Sequence, residues 1–200
     1  MNLLKTILAY VLILAFAFSC GESSSSEGDT YYNNEQYEEA IIAYAKYLEN
    51  KPKNFKALYN KGRAHEELSE FKKAEESFKA ALKLDPKNIQ VLLSLSNLKQ
   101  KQKDPGLALM YADNAVEISG APALAYFMKA RSMHLLGNVE EAMREYNVAL
   151  KMNPKFGQAY YYRGMLNAAT DKTTQACADF RKAEANGYED ANDAVEKYCP

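Results

Sequence analysis

Tryptophan is absent from the 200 residues, histidine occurs twice and cysteine three times. With no second His or Cys at ligand spacing from His65, the usual zinc arrangements are excluded. The chain also has no G-x-x-x-x-G-K-[ST] loop, no G-x-S-x-G elbow and no H-E-x-x-H helix. No nucleophile, base and orienting group stand together, so the expectation is a non-enzymatic protein with no catalytic residue, metal or cofactor. Basic blocks are missing too: the formal net charge is -1 and charges of both signs are interleaved. That argues against nucleic acid as a partner and for solvated helix faces.

Charge is scarce at the start. Lys5 is the one charged residue ahead of Ile7 to Phe18, twelve apolar residues in a row, closed by Ser19 and followed by Cys20. A charged beginning, an apolar stretch and a small residue make a secretory signal over 1-19. The stretch is short for a membrane span, which takes roughly 20 residues. The segment "AFAFSCGESSSS" resembles the lipobox of bacterial lipoproteins, with Ala17 and Phe18 departing from the usual Leu and small residue; such looser boxes are similar to those of Bacteroidota. The resemblance implies lipidation at Cys20, removal of 1-19, a Ser-rich tether over 20-27 and a domain over 28-200. An uncleaved anchor and simple cleavage are the alternatives. With several acyl chains the anchor would be firm, whereas one chain binds only marginally. Gly21 after the cysteine is compatible with an outer-membrane location, facing the periplasm or the surface.

What is abundant is alanine at a fixed interval. Ala40, Ala74, Ala108, Ala142 and Ala176 follow one another at 34 residues. Twelve places earlier stand Gly28, Gly62, Ser96, Ala130 and Gly164, and four places later Tyr44, Phe78, Ala112, Tyr146 and Phe180. Pro52, Pro86 and Pro154 close three of the units. Small residues let two antiparallel helices approach, and aromatic knobs fill the space between them. A repeated unit of this kind leaves one apolar face for its neighbour to cover.

"GRAHEELSEFKKAEESFKAALKLDPKN" and "LLGNVEEAMREYNVALKMNPKF" resemble the tetratricopeptide repeat, with its aromatic, Leu-Gly, Tyr, Ala, Phe and Pro at set offsets. The resemblance implies an all-α, right-handed solenoid of about five helix-turn-helix units over 21-54, 55-88, 89-122, 123-156 and 157-188, with a capping helix over 189-199. In the first unit the serine tract replaces most of the first helix. The third departs with Lys99 at the tyrosine column and Ala112 at the phenylalanine column. Asp104-Pro105 reads as a helix start, and Asp85-Pro86 and Asn153-Pro154 as helix ends. A turn at 187-189 would bring Cys177 and Cys199 level; they form a disulfide or remain two buried thiols.

In the family, the first helix of each unit lines a concave groove that takes a protein or peptide. Column by column this implies Tyr59, Asn60 and Arg63, then Leu93, Ser94 and Asn97. Phe127, Met128, Arg131 and His134 follow, then Tyr161, Tyr162 and Met165. Aromatic and arginine side chains suit binding hot spots, although some of these tyrosines can equally pack on the next helix. His134 suits either a peptide contact or a surface histidine, and His65 a packing residue. The two-carboxylate clamp of some family members is not matched, since its columns hold Tyr59, Arg63, Ser94, Leu124 and Met128. The expected function is a membrane-anchored adaptor or assembly factor of a bacterial envelope. The alternatives are binding of cell-wall glycan and a non-catalytic subunit of an envelope enzyme.

Overall fold

The computed structural model describes residues 25 to 199. The signal segment 1-19 and Cys20 lie outside the described residues. Among the described residues there are eleven α-helices and no strand. The chain divides between Ser77 and Phe78 into two compact units.

The first unit carries α1 (Ser25–Asn33), α2 (Tyr37–Asn50), α3 (Phe55–Glu67) and the first part of α4 (Phe71–Leu84). Its core gathers Ala40, Tyr44, Ala57 and Ala64, with Tyr31, Tyr32, Tyr37 and Tyr47 around them. Gly28 permits this closeness: a Cβ there would stand 2.5 Å from the Tyr44 ring. The helix begins within the serine tract, and the Ser26 carbonyl accepts a hydrogen bond from Thr30 Oγ1 at 2.8 Å. The tract was expected to be tether through residue 27 and to displace most of the first helix. Instead Ser25 and Ser26 open it, because a helix start tolerates serine well.

The second unit runs from the end of α4 through α5 (Ile89–Lys101), α6 (Pro105–Val116), α7 (Ala123–Leu135), α8 (Val139–Met152), α9 (Gly157–Ala169), α10 (Thr173–Ala185) and α11 (Ala191–Tyr198). Asn88 caps α5 by accepting from Val91 N at 3.2 Å, and Asp104 caps α6 from Leu107 N at 3.0 Å. Pro105 sits at the first turn, where no intrahelical donor is lost. Helix α4 ends before Asp85-Pro86 and α8 before Asn153-Pro154. The aromatic column supplies Phe78, Tyr146 and Phe180, all fully buried. Where Ala112 stands in that column, Ser96 fills polar space instead, donating from Oγ to the Ala108 carbonyl at 2.8 Å.

All five period alanines are 0 % exposed. A second period lies in the turns. Glu35, Ser69, Lys103 and Asp171 have φ of 57 to 60°, and Gly137 takes 81°. These positions recur at 34-residue spacing between the two helices of each hairpin. The residue after each donates its N–H to the carbonyl five before it, as Glu70 does to His65 and Lys172 to Asn167, both at 2.9 Å. This is the Schellman closure of a helix end, which consumes carbonyls the helix leaves open. Gly187 closes α10 likewise at φ 76°, turning the chain into α11. That turn brings Cys177 and Cys199 together as a disulfide, with Cα atoms 5.1 Å apart.

Candidate functional site

The first helices of the repeats divide the implied groove residues into packed and accessible ones. Tyr59 is 8 % exposed and stacks on Phe55 at 6.3 Å. Phe127 is 3 % exposed, with Phe156 at 4.9 Å, Tyr162 at 5.8 Å and Tyr146 at 6.1 Å around it. Met128 is 5 % exposed, and its carbonyl accepts from Ser132 Oγ and Gln100 Nε2. The resemblance implies these three as groove residues, and in the structure each fills space between helices. Leu93 is buried as well, while Ser94, Asn97 and Met165 are half-buried. Tyr161 and Tyr162 are half-buried neighbours whose rings lie at 86°. Tyr161 packs on Tyr188 and Phe180 at 5.0 and 5.9 Å. With Met165 it belongs to the cluster beneath α11, beside Val195 and Tyr198.

In the first unit the polar residues are already partnered. Asp29 accepts hydrogen bonds from Lys56 Nζ at 2.6 Å, Tyr44 OH at 2.7 Å and Asn60 Nδ2 at 2.8 Å. Burial raises the Asp29 pKa, but those donors outweigh it and hold the carboxyl below its ordinary value. Arg63 lies over the Tyr32 ring at 4.6 Å, and Tyr32 donates to Glu67 at 3.3 Å. Burial chiefly pushes the Tyr32 phenol up to about 12. His65 is 5 % exposed, with Nδ1 2.7 Å from Glu70 Oε2. Burial lowers its pKa despite that carboxylate.

In the second unit Arg131 lies over the Tyr162 ring at 4.7 Å. No carboxylate pairs with it among the described residues. His134, one turn on, sets its ring at 90° to Tyr146 with Nδ1 3.5 Å from the hydroxyl, and burial lowers its pKa. It is half-buried, packed between α7 and α8.

Spacing alone did not disclose a pair of ionic staples. Lys129 reaches Asp113 at 3.0 Å and Glu145 at 3.2 Å. One repeat later, Arg163 reaches Asn147 at 2.6 Å and makes two bonds to Asp179. In both cases the base on a first helix spans sixteen residues back and sixteen forward, clasping two second helices. Burial lowers the Lys129 pKa, but the two carboxylates outweigh it and raise it overall. Asp179, 4 % exposed, also accepts from Asn167 at 3.0 Å. The signal was a charged column at 129 and 163 with matching partners, which stands out only when the offset of sixteen is sought.

Among the described residues no three His, Cys, Asp or Glu side chains gather as a metal site, and no helix is long and apolar enough to cross a membrane. Among the described residues, one recess of about 280 Å³ lies between α9 and α11, lined by Tyr161, Met165, Asp190 and Tyr198 among others. Helical hairpins at a constant period of 34 residues define a repeat scaffold. The tetratricopeptide repeat profile matches residues 26–89 and 136–194, more than half of the chain, and the protein belongs to that family. Over 88 residues, 44% of this chain and 17% of the relative, it is 32% identical to outer dynein arm-docking complex subunit 4 of Xenopus laevis. The chain spans less than a third of the length of the curated relatives it matches. Its fold is similar to PilW, a type IV pilus biogenesis factor, at TM-score 0.73 and 21% identity, covering 81% of this chain and 75% of that one. It is also similar to YrrB, a TPR protein with an unusual peptide-binding site, at TM-score 0.71 and 22% identity, covering 91% and 97%.

Proposed function

We propose that this chain is a lipid-anchored adaptor or assembly factor of a bacterial cell envelope. Residues 1-19 act as the export signal, Cys20 carries the lipid, and the repeats bind a protein or peptide segment. The observation that carries the binding role is the first-helix face of the second unit. There Arg131 remains half accessible and without a carboxylate, while the bulky rings beside it are locked in packing. Peptide binding fits that face better than glycan stacking, because Tyr161 and Tyr162 already spend their ring faces on Tyr188, Phe180 and Arg131. The similarity to a pilus biogenesis factor and to a peptide-binding repeat protein supports the reading. The disulfide supports export, since such bonds persist in oxidising compartments.

The test is photo-crosslinking in cells from Asn97, which shares the column of Arg131, combined with fractionation of a Cys20→Ala variant. One envelope protein captured by the native chain, and a variant that leaves the membrane fraction, are the expected results. Identical capture profiles with and without Arg131, or unchanged membrane association of Cys20→Ala, would remove the corresponding half of the reading.

A further inference from the structure

The three first helices α5, α7 and α9 contain no aspartate or glutamate. Their bases do not share one fate. Lys129 and Arg163 are neutralised by Asp113, Glu145 and Asp179. Lys129 and Arg131 are two residues apart, and at roughly 100° per residue their side chains leave α7 in divergent directions. The carboxylates of α6 and α8 that clasp Lys129 are therefore on the other side of the helix from Arg131. Glu141, also on α8, is held by Arg144 at 3.0 Å. Nearer the end of the chain, Asp190 and Asp193 stand beside Tyr161 in the recess under α11, one ring beyond the Arg131–Tyr162 pair.

Resting on the adaptor reading above, we infer that the first-helix face of the second unit selects an acidic peptide segment. One of its side-chain carboxylates would sit against the Arg131 guanidinium, whose opposite face is backed by Tyr162. Stacking fixes the plane of the guanidinium, and a planar fork offers two parallel donors to a carboxylate. Because α5, α7 and α9 bring no acid of their own, a second acidic side chain along the segment meets no repulsion from these helices. A basic segment would meet the Arg131 charge as repulsion, and the carboxylates of the recess, Asp190 and Asp193, lie beyond the Tyr161 and Tyr162 rings.

An array of short random peptides, amidated at the C-terminus so that only side-chain carboxylates are present, is probed with the whole chain. The retained peptides are expected to be enriched in Asp and Glu. Arg131→Gln should weaken them about tenfold, the worth of one charge-assisted bidentate pair. Arg131→Lys, which keeps the charge but not the plane, should fall between. Arg144→Gln, an equal change of charge on the outward part of α8, should alter binding little. Retained peptides with no acidic enrichment, or equal losses for Arg131→Gln and Arg144→Gln, would overturn the selectivity while leaving the adaptor reading intact. An array that retains nothing also overturns it, and the crosslinking from Asn97 then decides the adaptor reading separately.

Discussion

The same repeat columns serve opposite ends in the two units. In the first, Asp29 gathers Lys56, Tyr44 and Asn60, and Tyr32 carries Arg63 over its ring while its hydroxyl donates to Glu67. In the second, bases that clasp carboxylates lie in the 129 and 163 column, and Arg131 leaves α7 on the other side, over the Tyr162 ring. A repeat scaffold can thus spend one column on cohesion and the next on recognition, because adjacent columns on a helix point in different directions.

The sharpest way to break this contrast is to remove one carboxylate from each unit. Asp179→Ala leaves Arg163 half-buried without its carboxylate and should cost about 3 kcal/mol in chemical denaturation, as buried pairs do when one member is deleted. Asp29→Ala, whose side chain is 23% exposed, should cost about 1 kcal/mol. Equal losses would mean that the two networks are not different in kind. Reduction of Cys177–Cys199, a link across 22 residues, should destabilise the end of the second unit by about 3 kcal/mol. Hydrogen exchange should show that loss in α10 and α11 and leave α1 to α3 unchanged.

Gly28 and Gly164 occupy one column, and each lies against an aromatic ring: a Cβ would meet Tyr44 at 2.5 Å and Phe180 at 2.7 Å. Alanine at either should cost about 2 kcal/mol by overpacking, with similar melting shifts in both units. A pH comparison follows from the two histidines. His65 and His134 are both held below the ordinary value of 6.5, so in the window just under it the unfolded chain binds more protons than the folded one. Stability is complete above that value and declines as pH falls through the window. Thermal melts should show this decline, and His134→Phe should reduce it without abolishing it, since His65 remains. The smallest effect concerns the turns. Lys103→Gly, at φ 60°, should raise stability by about 0.5 kcal/mol, because a left-handed position favours glycine.

The hairpin repeat was legible because alanine and the small and aromatic columns report close helix contact at a constant interval, and all of those alanines are buried. The left-handed turn column was not, since four different side chains, Glu35, Ser69, Lys103 and Asp171, occupy it. The backbone there is set by helix-end hydrogen bonds rather than by residue type. The candidate site was half legible. Column arithmetic placed Arg131 and Tyr162 on first helices, but only neighbours from other helices reveal that Phe127 is enclosed by Phe156 and Tyr146 while Arg131 is not.

Sequence by itself determined the all-α repeat and its register, because periodic small and aromatic residues admit one way of stacking helices into a shared core. Tertiary structure alone decided which members of the first-helix columns are core, which carry salt bridges and which remain accessible. The cysteine pairing belongs with those decisions. Spacing places a side chain on a helix, but its burial and its partners depend on atoms supplied by other helices, and only the packed chain brings those atoms within reach.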